Sequence, residues 1–266
     1  MIKVNFIEPN TSEWNSWKAR CAAATQTLIN DYRPGTKPAL SDTLYKEQKH
    51  VYKGKDGPFC GKCVYCESPL GTHDDLDHFR PKAEVRDLNN ELVKVTAPGG
   101  SRIPHPGYYW LANDHRNLLP ACKDCDSYVN DPAYGPPHGK GNRFPVQNDD
   151  YATDPGEENK EAVLIINPTS DDPERHLRFD LATGQLLYTS EKGCVTIDFF
   201  GLNIREDLVK RRLETYQSVK AAFAKFLLYP PKFDDWNNQR QYFESSKQEW
   251  GIAAREAIRE ISQYLS

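Results

Sequence analysis

The sequence predicts an α+β chain whose middle is stapled by metal, and three observations predict it. Apolar residues recur at helical spacing at both ends. Short alternating stretches lie between residues 162 and 199. Between these regions, two sets of Cys-x-x-Cys steps sit in a segment too poor in apolar periodicity to hold itself together by packing. At 266 residues, with 38% hydrophobic and 11% aromatic content, the chain can bury a sizeable core and is not of disordered composition. A net charge of −4 excludes a globally basic coat for nucleic acid but not a local basic groove. No apolar run approaches the roughly 20 residues of a membrane helix. The start, Met1-Ile-Lys-Val-Asn-Phe, lacks the apolar core of a secretory signal, so a cytoplasmic location is expected.

Element by element, Trp14, Trp17, Cys21, Ala24 and Leu28 mark a first helix with Ser12 as its N-cap. The Pro-Gly-rich stretch from Asp31 ends it, and a second short helix is expected from Ser41 to about Val51. Residues 1–52 thus form an N-terminal helical segment, 53–150 the metal-bearing core and 151–266 a C-terminal hairpin-plus-helix region. After an acidic stretch from Asn148 to Glu161, strands are expected at 162–166, 177–181, 186–188 and 195–199, with a turn at Ala182-Thr-Gly-Gln. Two helices close the chain. Val209, Leu213, Tyr216, Val219, Phe223 and Phe226 form the apolar face of one, and Trp250, Ala254, Ala257, Ile258, Ile261 and Leu265 that of the other. The run Lys210-Arg211-Arg212 reads as a solvated face.

The seven cysteines are clustered. Cys60, Cys63 and Cys66 form two overlapping Cys-x-x-Cys steps, and Cys122 and Cys125 form another. A two-residue gap lets a tight turn present two thiolates to one ion, so two such turns complete a tetrahedral Cys₄ zinc site. Cys21 and Cys194 read as small buried hydrophobes, Cys194 beside a strand. Between the two cysteine sets lies Asp77-His78. The carboxylate suits Mg²⁺ or Mn²⁺, and the imidazole suits a general base near neutral pH. On a strand the two side chains point to opposite faces, but at a strand end both can reach one site. Metal-assisted attack of water on a phosphodiester needs such a pair.

Cys63-x-x-Cys66, Asp77-His78, Asn117-Leu118 and Cys122-x-x-Cys125 with a following Lys-Gly resemble the zinc-bearing branch of the HNH endonucleases, whose fold is the ββα-metal core. More narrowly, Cys-Val-Tyr-Cys-Glu (63–67), His-Phe-Arg-Pro-Lys (78–82), Tyr-Tyr-Trp-Leu-Ala (108–112), Asn-Leu-Leu-Pro (117–120) and Arg-Phe-Pro (143–145) resemble nucleases of Septu and retron anti-phage systems. The likeness spans roughly residues 50–212. It implies a structural zinc on Cys63, Cys66, Cys122 and Cys125, which leaves Cys60 as a spare thiol or an alternative ligand. It also implies His78 as general base, Asp77 and Asp126 as ligands of one catalytic Mg²⁺ or Mn²⁺, and Asn117 as the amide that locks the loop aiming the base. Arg80, Lys82, Lys140 and Arg143 are then phosphate contacts. The partners implied are DNA and an ABC-type ATPase subunit, with a retron reverse transcriptase and its nucleic acid as a further one.

Two features depart from the family pattern. Asp126 stands where His or Asn is usual. The 13 residues Ser127–Gly139, with three prolines, separate it from Lys140-Gly141 and bring His138 nearby as a rival ligand. RNA such as tRNA is the alternative substrate, and a zinc-stapled binding module with a decayed site is the alternative class.

Overall fold

A computed structural model describes residues 1–41, 43–228, 233–245 and 247–265. It is a mixed α+β chain that has, among the described residues, three two-stranded antiparallel sheets and a buried four-cysteine cluster. Helix α1 (Ser12–Asp31) buries Trp14, Trp17 and Cys21, the predicted stripe. Its cap is Thr11 rather than Ser12, because the Thr11 hydroxyl accepts from the Trp14 amide while Ser12 is already helical. The second predicted helix is a short 3₁₀ turn, Leu44–Lys46, followed by α2 (Lys49–Lys53); Asp42 lies outside the described residues.

Strand β1 (Asp75–His78) pairs with a partner 40 residues later. Two hairpin strands, β2 (Lys94–Thr96) and β3 (Arg102–Pro104), fill the interval, and the partner is β4 (Leu118–Ala121). The β1–β4 register sets Asp77 opposite Leu119 and His78 opposite Leu118. Helix α3 (Lys123–Asp126) follows β4 directly. Strand, strand and short helix are therefore adjacent in space.

In the C-terminal part, β5 (Leu177–Phe179) and β6 (Leu186–Tyr188) form the expected hairpin around the 182–185 turn. Two predicted strands are absent. Residues 162–166 are an irregular segment held by single bonds, including Leu164 N–H to Pro145 O at 3.0 Å. Residues 195–199 belong to a helix, α4 (Glu191–Phe199). Ser190 caps it through its hydroxyl, and Gly193, Thr196, Ile197 and Phe200 are buried at helical steps, so period 3.6 wins over the coincidental alternation of Val195, Ile197 and Phe199. Cys194 is half-buried within α4 instead of beside a strand.

Helices α5 (Glu206–Leu228), α6 (Phe233–Glu244) and α7 (Gly251–Leu265) pack together, α7 also against β5. The side chain of Leu265 lies outside the described residues. The buried stripe of α5 is Leu208, Arg212, Tyr216, Val219 and Phe223. Arg212 therefore departs from the solvated face expected of the basic run. Its side chain is enclosed and its Nη1 donates to Leu202 O at 2.8 Å, whereas Lys210 and Arg211 remain exposed. One continuous apolar cluster runs from the N-terminal segment through the cysteine region to α7. No described helix is long and apolar enough to cross a membrane.

Candidate metal and acid–base site

Backbone bonds build the cysteine cluster from two turns. In the first, Glu67 N–H bonds Cys63 O at 2.9 Å and Cys63 N–H bonds Ser68 O at 2.8 Å. Val64 N–H then fixes the turn to β4 through Pro120 O at 3.0 Å. In the second, Cys125 and Asp126 N–H both bond Cys122 O, at 3.0 and 2.9 Å, as α3 begins. The sulfurs of Cys63, Cys66, Cys122 and Cys125 consequently lie within 4.8 Å of one another, all buried. Zinc–sulfur bonds of about 2.3 Å place tetrahedral sulfurs roughly 3.8 Å apart; Cys66 and Cys122 are at 3.6 Å. The cluster could hold a zinc ion, and its four soft donors match that ion. Cys60 lies outside it, half-buried with a positive φ of 53°.

The same architecture gathers an acid pair. Asp77 is buried on β1, with Oδ2 accepting from the Tyr65 hydroxyl at 2.6 Å and Oδ1 from Lys140 Nζ at 2.8 Å. Asp126, the last residue of α3, lies close enough to Asp77 for the two carboxyl groups to influence each other's charge. Burial raises the Asp77 pKa against the pull of Lys140. Burial, and then the Asp77 charge, push Asp126 up to about 7. With Lys140 paired to Asp77, the half-buried Asp126 adds a surplus negative charge beside the buried pair, one that a shared proton or a hard cation would relieve.

The 13-residue insertion leaves this geometry intact because it closes on itself. Val129 and His138 exchange backbone bonds at 2.8 and 3.0 Å, and the chain returns so that Lys140 N–H bonds Cys125 O and Gly141 N–H bonds Asp126 O. Gly139, at φ +79°, permits the return; a Cβ there would sit 1.9 Å from Ser127 O. His138 does not join the acids through its bonds: its Nδ1 bonds Pro136 O at 2.9 Å, and its ring packs over Gly201.

His78 faces different neighbours from Asp77, as successive strand residues do. Its Nε2 lies 2.9 Å from Ala112 O, and the Tyr45 ring meets it edge-on at 4.6 Å. A carbonyl only accepts, so Nε2 carries the proton and Nδ1 is the basic nitrogen of the neutral ring. Lys140 Nζ bridges the two residues, donating to Asp77 Oδ1 and to His78 O at 2.7 Å.

Asn117 holds the chain on either side of this strand end. Its Oδ1 accepts from Arg80 N–H at 2.8 Å, and its Nδ2 donates to Arg80 O at 3.0 Å and Leu111 O at 3.2 Å. All four predicted phosphate contacts have internal partners, Lys82 through its Nζ, which donates to the Tyr45 hydroxyl at 3.2 Å. Arg80 pairs with Glu161 at 2.9 Å. Lys140 is only 1% exposed and serves Asp77. Arg143 is buried, stacked on Tyr128 and Phe199, with donors on Gly139, Leu88 and Phe199 carbonyls. Lys82, half-buried, lies 4.3 Å above the Tyr45 ring. A cleft of about 670 Å³ is lined by Arg80 and Asn117 but not by Asp77, His78 or Asp126.

Sequence reasoning missed Tyr65 and Tyr45 as site residues. Tyr65 had a signal: a tyrosine between two cysteines destined for burial needs an acceptor, and the nearest motif carboxylate is Asp77. Its ring also stacks on Phe200 at 4.1 Å. Nothing in the motif spacing points to Tyr45.

No protein-family model and no solved structure matches this chain. Over 166 residues it is 36% identical to Septu protein PtuB of Bacillus mycoides (strain KBAB4), covering 61% of this chain and 49% of that protein. Over 162 residues it is 35% identical to Septu protein PtuA of the same strain, covering 59% of this chain and 20% of that protein. The chain thus spans about half the length of the one relative and a fifth of the other, and the likeness it shows is to Septu proteins.

Proposed function

We propose that this chain is a divalent-metal-dependent HNH-type endonuclease acting on DNA as a subunit of a Septu-like anti-phage defence system. The observation that supports it best is the meeting of Asp77 and Asp126 where the β1–β4 strand pair runs into a short helix, with His78 the next residue of β1 although its ring faces Ala112 O and Tyr45. The similarity to Septu proteins supports the defence role and a second Septu subunit as partner, which the family resemblance makes an ABC-type ATPase.

In this reading Asp77 and Asp126 would hold Mg²⁺ or Mn²⁺, Asp77 giving up its bond to Tyr65 or Lys140 to do so, and the surplus charge of the acid pair suits such an ion. Such an ion would supply Lewis acidity to the scissile phosphate. His78 Nδ1 takes a proton from water as that water's oxygen bonds to phosphorus, and the bond from phosphorus to the 3′ oxygen breaks, the 3′ oxygen leaving as a hydroxyl with a proton taken from solvent. Lys140 favours the ionised form of Asp77 and ties the strand end by its bond to His78 O. Asn117 fixes the Arg80 and Leu111 backbone around the histidine. Lys82, which donates to the Tyr45 hydroxyl and lies over the Tyr45 ring, would have to exchange that contact to reach a phosphate.

A zinc-stapled binding module without catalysis is the second reading, favoured by the saturation of both Asp77 oxygens by Tyr65 and Lys140. Incubation with plasmid and with tRNA, with Mg²⁺ or Mn²⁺ against metal-free buffer, separates the two. The nuclease reading expects divalent-dependent plasmid cleavage that His78→Ala abolishes with zinc content unchanged. Cleavage of tRNA alone would move the substrate to RNA, and activity surviving His78→Ala would refute the assignment.

A further inference from the structure

We propose that Arg205 is the charge partner of the four-cysteine centre, so that the start of α5 helps to retain the metal. This rests on the cysteines binding zinc and is independent of the nuclease chemistry. Four thiolates around Zn²⁺ leave two surplus negative charges, and this cluster is buried, where such charge is costly unless it is hydrogen-bonded. Two side chains outside the cluster reach its sulfurs among the described residues. The Ser68 hydroxyl lies 3.1 Å from Cys66 Sγ, and Arg205 Nη1 donates to Cys125 Sγ at 3.3 Å. Arg205 alone of the two brings a positive charge.

Its position is built. The Arg205 carbonyl accepts from Leu208 and Val209 N–H at 3.1 and 3.3 Å, so the residue stands at the start of α5. Nη2 lies 3.8 Å from the exposed carboxylate of Asp124, one of the two residues between the cysteines of the second pair. The guanidinium is thereby held over one knuckle from a helix more than 75 residues away in sequence. A donor of this kind orients the thiolate and lowers the free energy of the bound form, and losing such a partner typically weakens metal affinity by about 10–100-fold.

The test is zinc retention by the full chain. Zinc content of the purified wild type comes first: a protein without zinc refutes the cysteine reading and this proposal together. With zinc present, transfer to a chromogenic chelator is timed for the wild type, Arg205→Met and Arg205→Lys, folding being checked by circular dichroism. The expected result is release about 10-fold or more faster from Arg205→Met, with Arg205→Lys between it and the wild type because a single ammonium replaces the planar fork. Release within twofold of the wild type from a folded Arg205→Met overturns the proposal. If Arg205→Met does not fold, Arg205→Lys decides: faster release supports the proposal, and wild-type release overturns it.

Discussion

His105 shows how a single buried side chain sets acid sensitivity. Gly107 N–H donates to its Nδ1 at 3.0 Å, and Nε2 faces Ala152 O at 2.9 Å, so the ring is neutral with both nitrogens satisfied. Protonating Nδ1 would set two donors against each other. Burial accordingly lowers its pKa from 6.5 to about 4, against the smaller raising effect of the Ala152 bond. Because the folded pKa lies below the unfolded one, the unfolded chain binds more protons between these values. The stability from the neutral ring is complete above pH 6.5 and is lost as pH falls towards 4. Urea unfolding at pH 7 and pH 4.5 should show this loss in the wild type, and His105→Asn should lack roughly 2–3 kcal/mol of it. Parallel pH profiles for the two proteins would contradict the account. The approach of Gly107 to Ala83 O belongs to the same turn: a Cβ there would lie 1.7 Å away, at φ +84°.

Among the elements, α4 rests on its cap. The Ser190 hydroxyl accepts from Gly193 N–H at 3.1 Å and also contacts His176 Nδ1 at 2.7 Å. Ser190→Ala should cost about 1 kcal/mol or somewhat more in denaturant unfolding; an unchanged midpoint would show that packing alone holds the helix. This same element marks the boundary of what the sequence displays. Helices α1, α5 and α7 were legible because their apolar residues repeat over three or more turns. Helix α4 has nine residues, and over so short a span Val195, Ile197 and Phe199 mimic a strand. The segment 162–166 is apolar for another reason: Ile165 and Ile166 are buried without ladder partners, packed into the core as an irregular strip. At the candidate site, the cysteine grouping could be anticipated because Cys-x-x-Cys steps are a recognisable spacing, whereas Asp126, 49 residues from Asp77, is pointed to only by the family resemblance. The inward turn of Lys140 and Arg143 could not, since only the tertiary closure of the 127–139 insertion decides which basic side chains meet buried acceptors.

At the scale of the whole molecule, the cysteine cluster lies where several parts of the chain meet. Val64 N–H ties one knuckle to β4, Lys123 N–H ties the other to Asp74 beside β1, and Arg205 brings α5 onto Cys125. Phe200 stacks on Tyr65, which holds Asp77, so the α4–α5 turn touches both the sulfurs and the acid pair. The apolar cluster is continuous through this junction, from the N-terminal segment to α7. If the cluster holds zinc, losing the ion therefore destabilises more than the irregular middle of the chain. Cys125→Ser should bind zinc poorly and melt about 10 °C or more below the wild type, each kcal/mol being worth roughly 2–4 °C in a chain of this size. Calorimetry should record one shifted transition. Two transitions, with the α5–α7 bundle melting at its original temperature, would show that the C-terminal helices fold independently and that the sulfurs stabilise the middle alone.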